Sequence, residues 1–203
     1  MRSKPTLDEY LSTNIEIKDG VLSSSLLDIS IMDDQETLIM EESAKVICKN
    51  GGDILNVGFG LGIIDSYIQQ HKIKSHTIIE IHPGVIQHAK NLGFDKKARL
   101  CQGDWRVWVS KFKEEGKKFD GIYFDTYNIT EESNEWADFA REVDSILKPG
   151  GIFSYFNNTA ARDGHFMNIM NSLPYSLRFK RINLKDIEEV ANFISGYFEQ
   201  KNL

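Results

Sequence analysis

The chain has 203 residues, 41% of them hydrophobic, and a formal net charge of -6, which is enough to bury one core but too little for two full domains. Neutralising phosphates takes clustered Lys and Arg, and the one basic run, 111–118 (KFKEEGKK), is broken by Glu114 and Glu115, so neither nucleic acid nor an anionic membrane is an expected partner. Cys48 and Cys101 lie in apolar segments without CxxC spacing. No stretch of 18 apolar residues occurs, and MRSKPTLDEYL lacks a signal-peptide core, so reduced thiols and a cytoplasmic location are expected. The triplets at Asn128 and Asn157 are then not glycosylation sites.

Residues 1–35 are mixed in pattern, with a serine cluster at 23–25 and the acids Asp33 and Asp34, and are expected to form an N-terminal arm or lid ahead of a main domain over 36–203. From Glu36 to Asn50, Leu38, Ile39, Met40, Val46 and Ile47 fit a helix that Gly51-Gly52 stops. Strands are then predicted at 53–57, 76–81, 98–102, 119–124 and 152–156. Helices near 62–70, 84–92, 105–114 and 133–146 fall between them. After the Lys148–Gly151 turn and its strand come a short helical pattern at 163–172 and two strand-like runs, 177–184 and about 192–200, that read as a closing hairpin. This alternation predicts an α/β fold, a doubly wound and mostly parallel sheet covered on both faces.

The most informative stretch is DILNVGFGLG, 53–62, answered by TIIEI at 77–81. A buried strand opens into a glycine-rich turn and a helix, and about 20 residues later a carboxylate, Glu80, ends the next strand. The glycines let backbone approach a ligand, and Glu80 can accept from both hydroxyls of a ribose. A dinucleotide fingerprint would place its third glycine at 63, but Ile63 stands there and Gly62 falls one place early, so the pattern leans to S-adenosylmethionine. The plainer alternative is a tight strand-to-helix connection.

Ligands of open α/β sheets lie beyond the carboxyl ends of the strands. After the third strand come Asp104 and Trp105: a carboxylate that can accept from an adenine amine and an indole that either covers the ring or belongs to a core stripe with Trp108 and Phe112, the latter two assigned to the core. After the fourth strand comes Asp125, either a helix cap or an acid placed where an acceptor would meet the cofactor. The five histidines have no ligand spacing, and no metal site is expected.

Residues 32–61 (MDDQETLIMEESAKVICKNGGDILNVGFGL), with TIIEIHPGVIQ, QGDW, FDGIYFDTYNITEES and LKPGGIFSYFNNT, resemble the guanidinoacetate N-methyltransferases and related arginine N-methyltransferases. The likeness covers roughly 30–165 in order and spacing. It implies a class I, Rossmann-like methyltransferase fold: a seven-stranded sheet with an antiparallel last strand, S-adenosylmethionine as cofactor, and a small guanidino substrate such as guanidinoacetate or arginine. A protein arginine, another amine, or a silent nucleoside-binding module are the alternatives. Carried over, Glu36 and Asp125 match the carboxylates that hold the guanidino group. Met32, Met40, Gly58, Phe59, Gly60, Leu61, Gly62, Ile63, Ile64, Glu80, Ile81, His82 and Trp105 match positions around the cofactor, beside Asp104 and Asp125. Tyr127, Asn158 and Thr159 fall on the substrate side. The chain departs at Asn56, where the family usually has an acid, and at Gln35, where it has an aromatic.

Chemistry independently asks for two acids. A guanidinium has a pKa above about 12, presents planar N–H edges, and becomes a nucleophile only when a proton leaves. One carboxylate can fix the plane while the other takes the proton. Sulfonium and guanidinium also repel, by about 4 kcal/mol at ~4 Å and an effective dielectric near ~20, and two nearby carboxylates offset that.

Overall fold

A computed structural model describes residues 6–24, 29–33, 37–126, 135–157, 175–181 and 194–200. The N-terminal region, expected as an arm of mixed pattern, is built of regular elements. Helix α1 (Leu7–Leu11) starts at a reciprocal cap in which Thr6 Oγ1 accepts from Glu9 N–H and Glu9 Oε2 accepts from Thr6 N–H. Strands β1 (Ile15–Lys18), β2 (Val21–Ser24) and β3 (Ile29–Asp33) then form an antiparallel sheet in that order. Its first turn is two residues, Asp19 at φ +51° and Gly20 at φ +79°. Positive φ at both positions is what a type I′ hairpin needs, and Asp-Gly is among the pairs that adopt it readily. The unit is anchored to the main body: Leu22 is fully buried in a core cluster with Met40, Ala44 and Ile47, and Ile15 packs against it.

The main sheet holds β4 (Asp53–Val57), β5 (Ser75–Glu80), β6 (Arg99–Gln102), β7 (Phe119–Phe124), β8 (Leu147–Asn157), β9 (Tyr175–Arg181) and β10 (Ile194–Gln200), in the order β6-β5-β4-β7-β8-β10-β9. The first five run parallel, and β10 runs antiparallel to both β8 and β9. Helices α2 (Thr37–Ile47), α3 (Ile63–Ile68), α4 (Pro83–Asn91), α5 (Trp105–Glu114) and α6 (Glu135–Glu142) cover the two faces. β4 is buried along its whole length, as a central parallel strand packed on both sides must be. Leu55 and Val57 face the cluster built with Val109 and Phe112 of α5 and Phe139 of α6. Ile54 faces the one built with α2, α3 and α4. Val109 and Phe112 follow Trp105 at helical spacing, so Phe112 belongs to the core as expected, whereas Trp108 is partly buried and packs against that core from the rim.

Most boundaries shift by a residue or a few from the sequence reading, and two elements differ in form. The turn expected at Lys148–Gly151 lies inside β8, where the register against β7 jumps from Phe119↔Leu147 to Gly121↔Ile152. This bulge gives Pro149 a place in a strand without a missing ladder bond. The helix expected over 133–146 is α6 followed by a 3-10 turn, Val143–Ser145. The helical pattern expected at 163–172 lies outside the described residues. No helix among the described residues is long and apolar enough to cross a membrane.

Candidate functional site

The carboxyl ends of β4, β5 and β7 meet at the glycine turn. Gly58 has φ +94°, and a Cβ there would stand 1.8 Å from the carbonyl oxygen of Asp125. Gly58 N–H donates to the Ile79 carbonyl and Asp125 N–H to the Val57 carbonyl, so the turn is pressed between its neighbours with no room for a side chain. Gly60 has φ +54°. Gly62, at φ +74°, leads into α3, and a Cβ there would lie 2.4 Å from the Phe59 ring. The side chains of Phe59 and Ile64 are buried, and those of Leu61 and Ile63 pack against the same core. The turn therefore presents backbone to a ligand.

Glu80 is buried at the end of β5. Its Oε2 accepts from Phe59 N–H at 2.9 Å and its Oε1 from His82 N–H at 2.7 Å. Desolvation pushes its carboxyl above the ordinary value, opposed by the N–H groups of His82, Phe59, Ile81 and Gly60. The bonds from Phe59 and His82 take one direction on each oxygen, and a carboxylate offers about two per oxygen, so the second direction on each is the one a diol would use. The cradle without Cβ atoms and the anchored acid together fit an adenosyl group.

Asp125 follows β7 and keeps part of its surface exposed, yet protein closes around its carboxyl and burial pushes the pKa up to about 7. The adjacent Thr126 Oγ1 is buried with no hydrogen-bond partner among the described residues. Burial therefore favours the protonated form of the Asp125 carboxyl more than an exposed aspartate would allow.

Beneath the cradle, fully buried Asn56 donates through Nδ2 to the Gly58 carbonyl at 2.8 Å and to both oxygens of Asp65 at 3.0 and 2.9 Å. Asp65 is also buried and lies 3.1 Å from His76 Nε2. His76 Nδ1 stands 2.8 Å from Gln69 Nε2. At this end of β4 the carboxylate comes from α3, and Asn56 is the amide that joins it to the turn.

His82 is buried. Its Nδ1 accepts from Gly84 N–H to cap α4, and its Nε2 lies 3.0 Å from the Tyr10 carbonyl. Asp104 caps α5, accepting from Arg106 N–H at 2.7 Å. Trp105 is 6% exposed, stands edge-on to Phe124 and Phe139, and donates from Nε1 to Glu135 at 2.8 Å. Of the two sequence readings of Trp105, the geometry places the ring in the core. Met40 is likewise buried, with its Sδ 3.6 Å from Tyr123 Oη.

The structure thus brings together Gly58–Gly62, Glu80, Ile81 and Asp125. Met32 is described in backbone alone, within β3. Glu36, Tyr127, Asn158 and Thr159 lie outside the described residues. Sequence reasoning missed Asp65, His76 and the contacts of Tyr10 and Thr13 with His82. An acid in the first turn after the glycines was a usable signal for Asp65, whereas nothing local marks a contact across 72 positions.

The guanidinoacetate N-methyltransferase family model matches residues 10–190. Protein arginine N-methyltransferase 2 of Kluyveromyces lactis is 36% identical over 159 residues, covering 75% of this chain and 39% of the relative. The protein of the same name from Saccharomyces cerevisiae is 36% identical over 160 residues, covering 75% and 38%. The chain therefore spans under two fifths of the length of these curated relatives. Among solved structures, spermidine synthase from Thermotoga maritima superposes with a TM-score of 0.66 at 18% identity, covering 93% of this chain and 69% of that one. A putative SAM-dependent methyltransferase from Streptococcus mutans gives 0.65 at 10% identity, covering 92% and 55%. At such identities the likeness concerns the fold, an α/β architecture whose five parallel strands match those of class I methyltransferase neighbours. With 181 consecutive positions matched (10 to 190 inclusive), the chain belongs to the guanidinoacetate N-methyltransferase family.

Proposed function

We propose that this chain is an S-adenosylmethionine-dependent N-methyltransferase whose acceptor is a guanidino group, that of an arginine side chain in a polypeptide. The observation that carries the chemistry is Asp125, whose backbone carbonyl closes on the Gly58 turn and whose buried carboxyl has its pKa pushed up to about 7. The names of the curated relatives favour the arginine acceptor.

The bound cofactor supplies an electrophilic methyl group on a sulfonium. Glu80 holds the ribose, the backbone of Gly58–Gly62 borders the donor, and Asp104 reaches the adenine while capping α5. At the acceptor, Asp125 takes one N–H edge and Glu36 another, so that the guanidinium plane is fixed. One guanidino nitrogen gains the methyl group and loses a proton, which a carboxylate oxygen of Asp125 accepts. Tyr127, Asn158 and Thr159 contact the remainder of the acceptor. The N-terminal unit excludes water from the reacting atoms.

A second reading, a free guanidino compound, is favoured by the family description itself, which names guanidinoacetate. Incubation with methyl-labelled S-adenosylmethionine and a panel of guanidinoacetate, arginine, agmatine and arginine-containing peptides, with products identified by mass, decides between the two. Label on the guanidino group of a peptide supports the first, and label on a free compound alone supports the second. Label on none, with the cofactor bound, overturns both.

A further inference from the structure

His82 stands between the cofactor cradle and the N-terminal unit, bonded to Glu80 on one side and to Tyr10 on the other. Its backbone N–H donates to Glu80 Oε1 at 2.7 Å. Its ring Nδ1 accepts from Gly84 N–H at 3.0 Å, which in the neutral ring leaves the proton on Nε2, directed at the Tyr10 carbonyl 3.0 Å away. Thr13 Oγ1 stands 3.4 Å from the same nitrogen and donates to the same carbonyl at 2.8 Å. The Tyr10 ring meets the imidazole edge-on, with centroids 4.9 Å apart. Tyr10, Thr13 and His82 are all buried, so the end of α1 closes over the residue that steadies the Glu80 carboxylate.

We infer that His82 is a positioning residue that couples docking of the N-terminal unit to cofactor affinity. The inference rests on the reading of Glu80 as the ribose acceptor. When Tyr10–Thr13 is seated, the imidazole is held at both nitrogens and the 80–82 backbone is fixed in the form that aims its N–H at Glu80. When that segment lifts, the ring loses its outer anchor and the 80–82 segment loosens. Coupling of this kind is reciprocal: a bound adenosyl ligand holds the N-terminal unit down by the same factor by which the docked unit tightens the ligand.

Single variants separate this role from plain helix capping. His82→Asn keeps a side-chain acceptor that can cap α4 but cannot reach Tyr10, whereas His82→Ala loses both contacts. Tyr10→Ala loosens the N-terminal side without altering β5 or α4. The readouts are the dissociation constant for S-adenosylhomocysteine by calorimetry and amide hydrogen exchange with and without that ligand. In the wild type the ligand should slow exchange across 6–24. His82→Asn and Tyr10→Ala should each weaken binding about 5- to 20-fold and abolish the ligand-dependent protection of 6–24, with exchange in α4 unchanged. His82→Ala should in addition lose protection in α4. Binding within twofold of wild type in both His82→Asn and Tyr10→Ala overturns the coupling, and so does weakened binding with ligand-dependent protection of 6–24 retained. Should His82→Asn fail to fold, Tyr10→Ala alone decides. Unchanged affinity in Glu80→Ala instead overturns the underlying ribose assignment, a result separable from either of these.

Discussion

At Asp125, one physical cause sets both reactivity and cost. Burial pushes its pKa up to about 7, so below that pH the free enzyme carries the proton it must be ready to accept. The kcat/KM profile should rise about tenfold per pH unit toward neutrality and level off above about 7, and a flat profile from pH 5 to 8 would contradict the assignment. The stability consequence has a definite sign. An unfolded aspartate titrates near about 4, so between about pH 4 and 7 the folded chain keeps a proton that the unfolded chain has released, and stability falls as pH rises through that window. Asp125→Asn removes this fall. The variant should melt at a higher temperature than wild type at pH 8, with the advantage shrinking toward pH 4, while turnover drops by about 10²- to 10⁴-fold and cofactor affinity is kept. Gly58→Ala should behave differently. Its Cβ would be forced against the Asp125 carbonyl at a φ that L residues rarely adopt, and a cost of at least about 2 kcal/mol, read by denaturant melts, should accompany loss of cofactor binding.

At the scale of elements, the buried chain from Gly58 through Asn56 and Asp65 to His76 ties β4, α3 and β5 together. Asn56→Asp would set a second carboxylate about 3 Å from Asp65, where like charges resist joint ionisation. Its cost should be largest at pH 8 and shrink on acidification, as melts at pH 5 and 8 would show, and equal costs at both would argue against the pairing. These elements differ in how openly the chain announces them. β4 and β7 span the predicted residues 53–57 and 119–124, because strands buried on both faces are mostly apolar, here broken only by Asp53, Asn56 and Asp120. The β1–β2 hairpin is hard to read although Asp19-Gly20 is a strong local signal, since its flanking IEIK and VLSS alternate over few residues. β8 began earlier than expected because its bulge absorbs Pro149 and the glycines. The candidate site divides in the same way. The glycine turn and Glu80 are legible as spacing, and Asp125 as a strand end. The burial that shifts its pKa and the rotation of His82 toward Tyr10 arise from packing between distant segments, which no local pattern encodes.

Across the whole molecule, the two rims of the sheet carry different duties. At the amino ends of the strands, opposite the cradle, Asp53 is nearly buried and pairs with Lys117 at 3.1 Å, Lys148 at 2.9 Å and Lys74 at 3.5 Å, while Lys148 also reaches Asp120 at 2.7 Å. Desolvation alone would raise the Asp53 carboxyl, but hydrogen bonds from Ser75, Lys148 and Lys117 outweigh it and hold it below the usual carboxylate range. A depressed pKa contributes stability that is present above about pH 4 and is lost as acid titrates the group. Lys148→Met should therefore lower stability by about 1–2 kcal/mol at pH 7, with a smaller difference from wild type at pH 3, and should leave the dissociation constant for S-adenosylhomocysteine within twofold. The Gly58 backbone, pressed on the carbonyl of Asp125, has a consequence for changing what this scaffold accepts. Donor berth and proton acceptor share one main-chain seam, so neither can be displaced without dragging the other. Engineered variants for bulkier acceptors should accordingly accumulate their replacements in the surrounding segments and leave that seam intact.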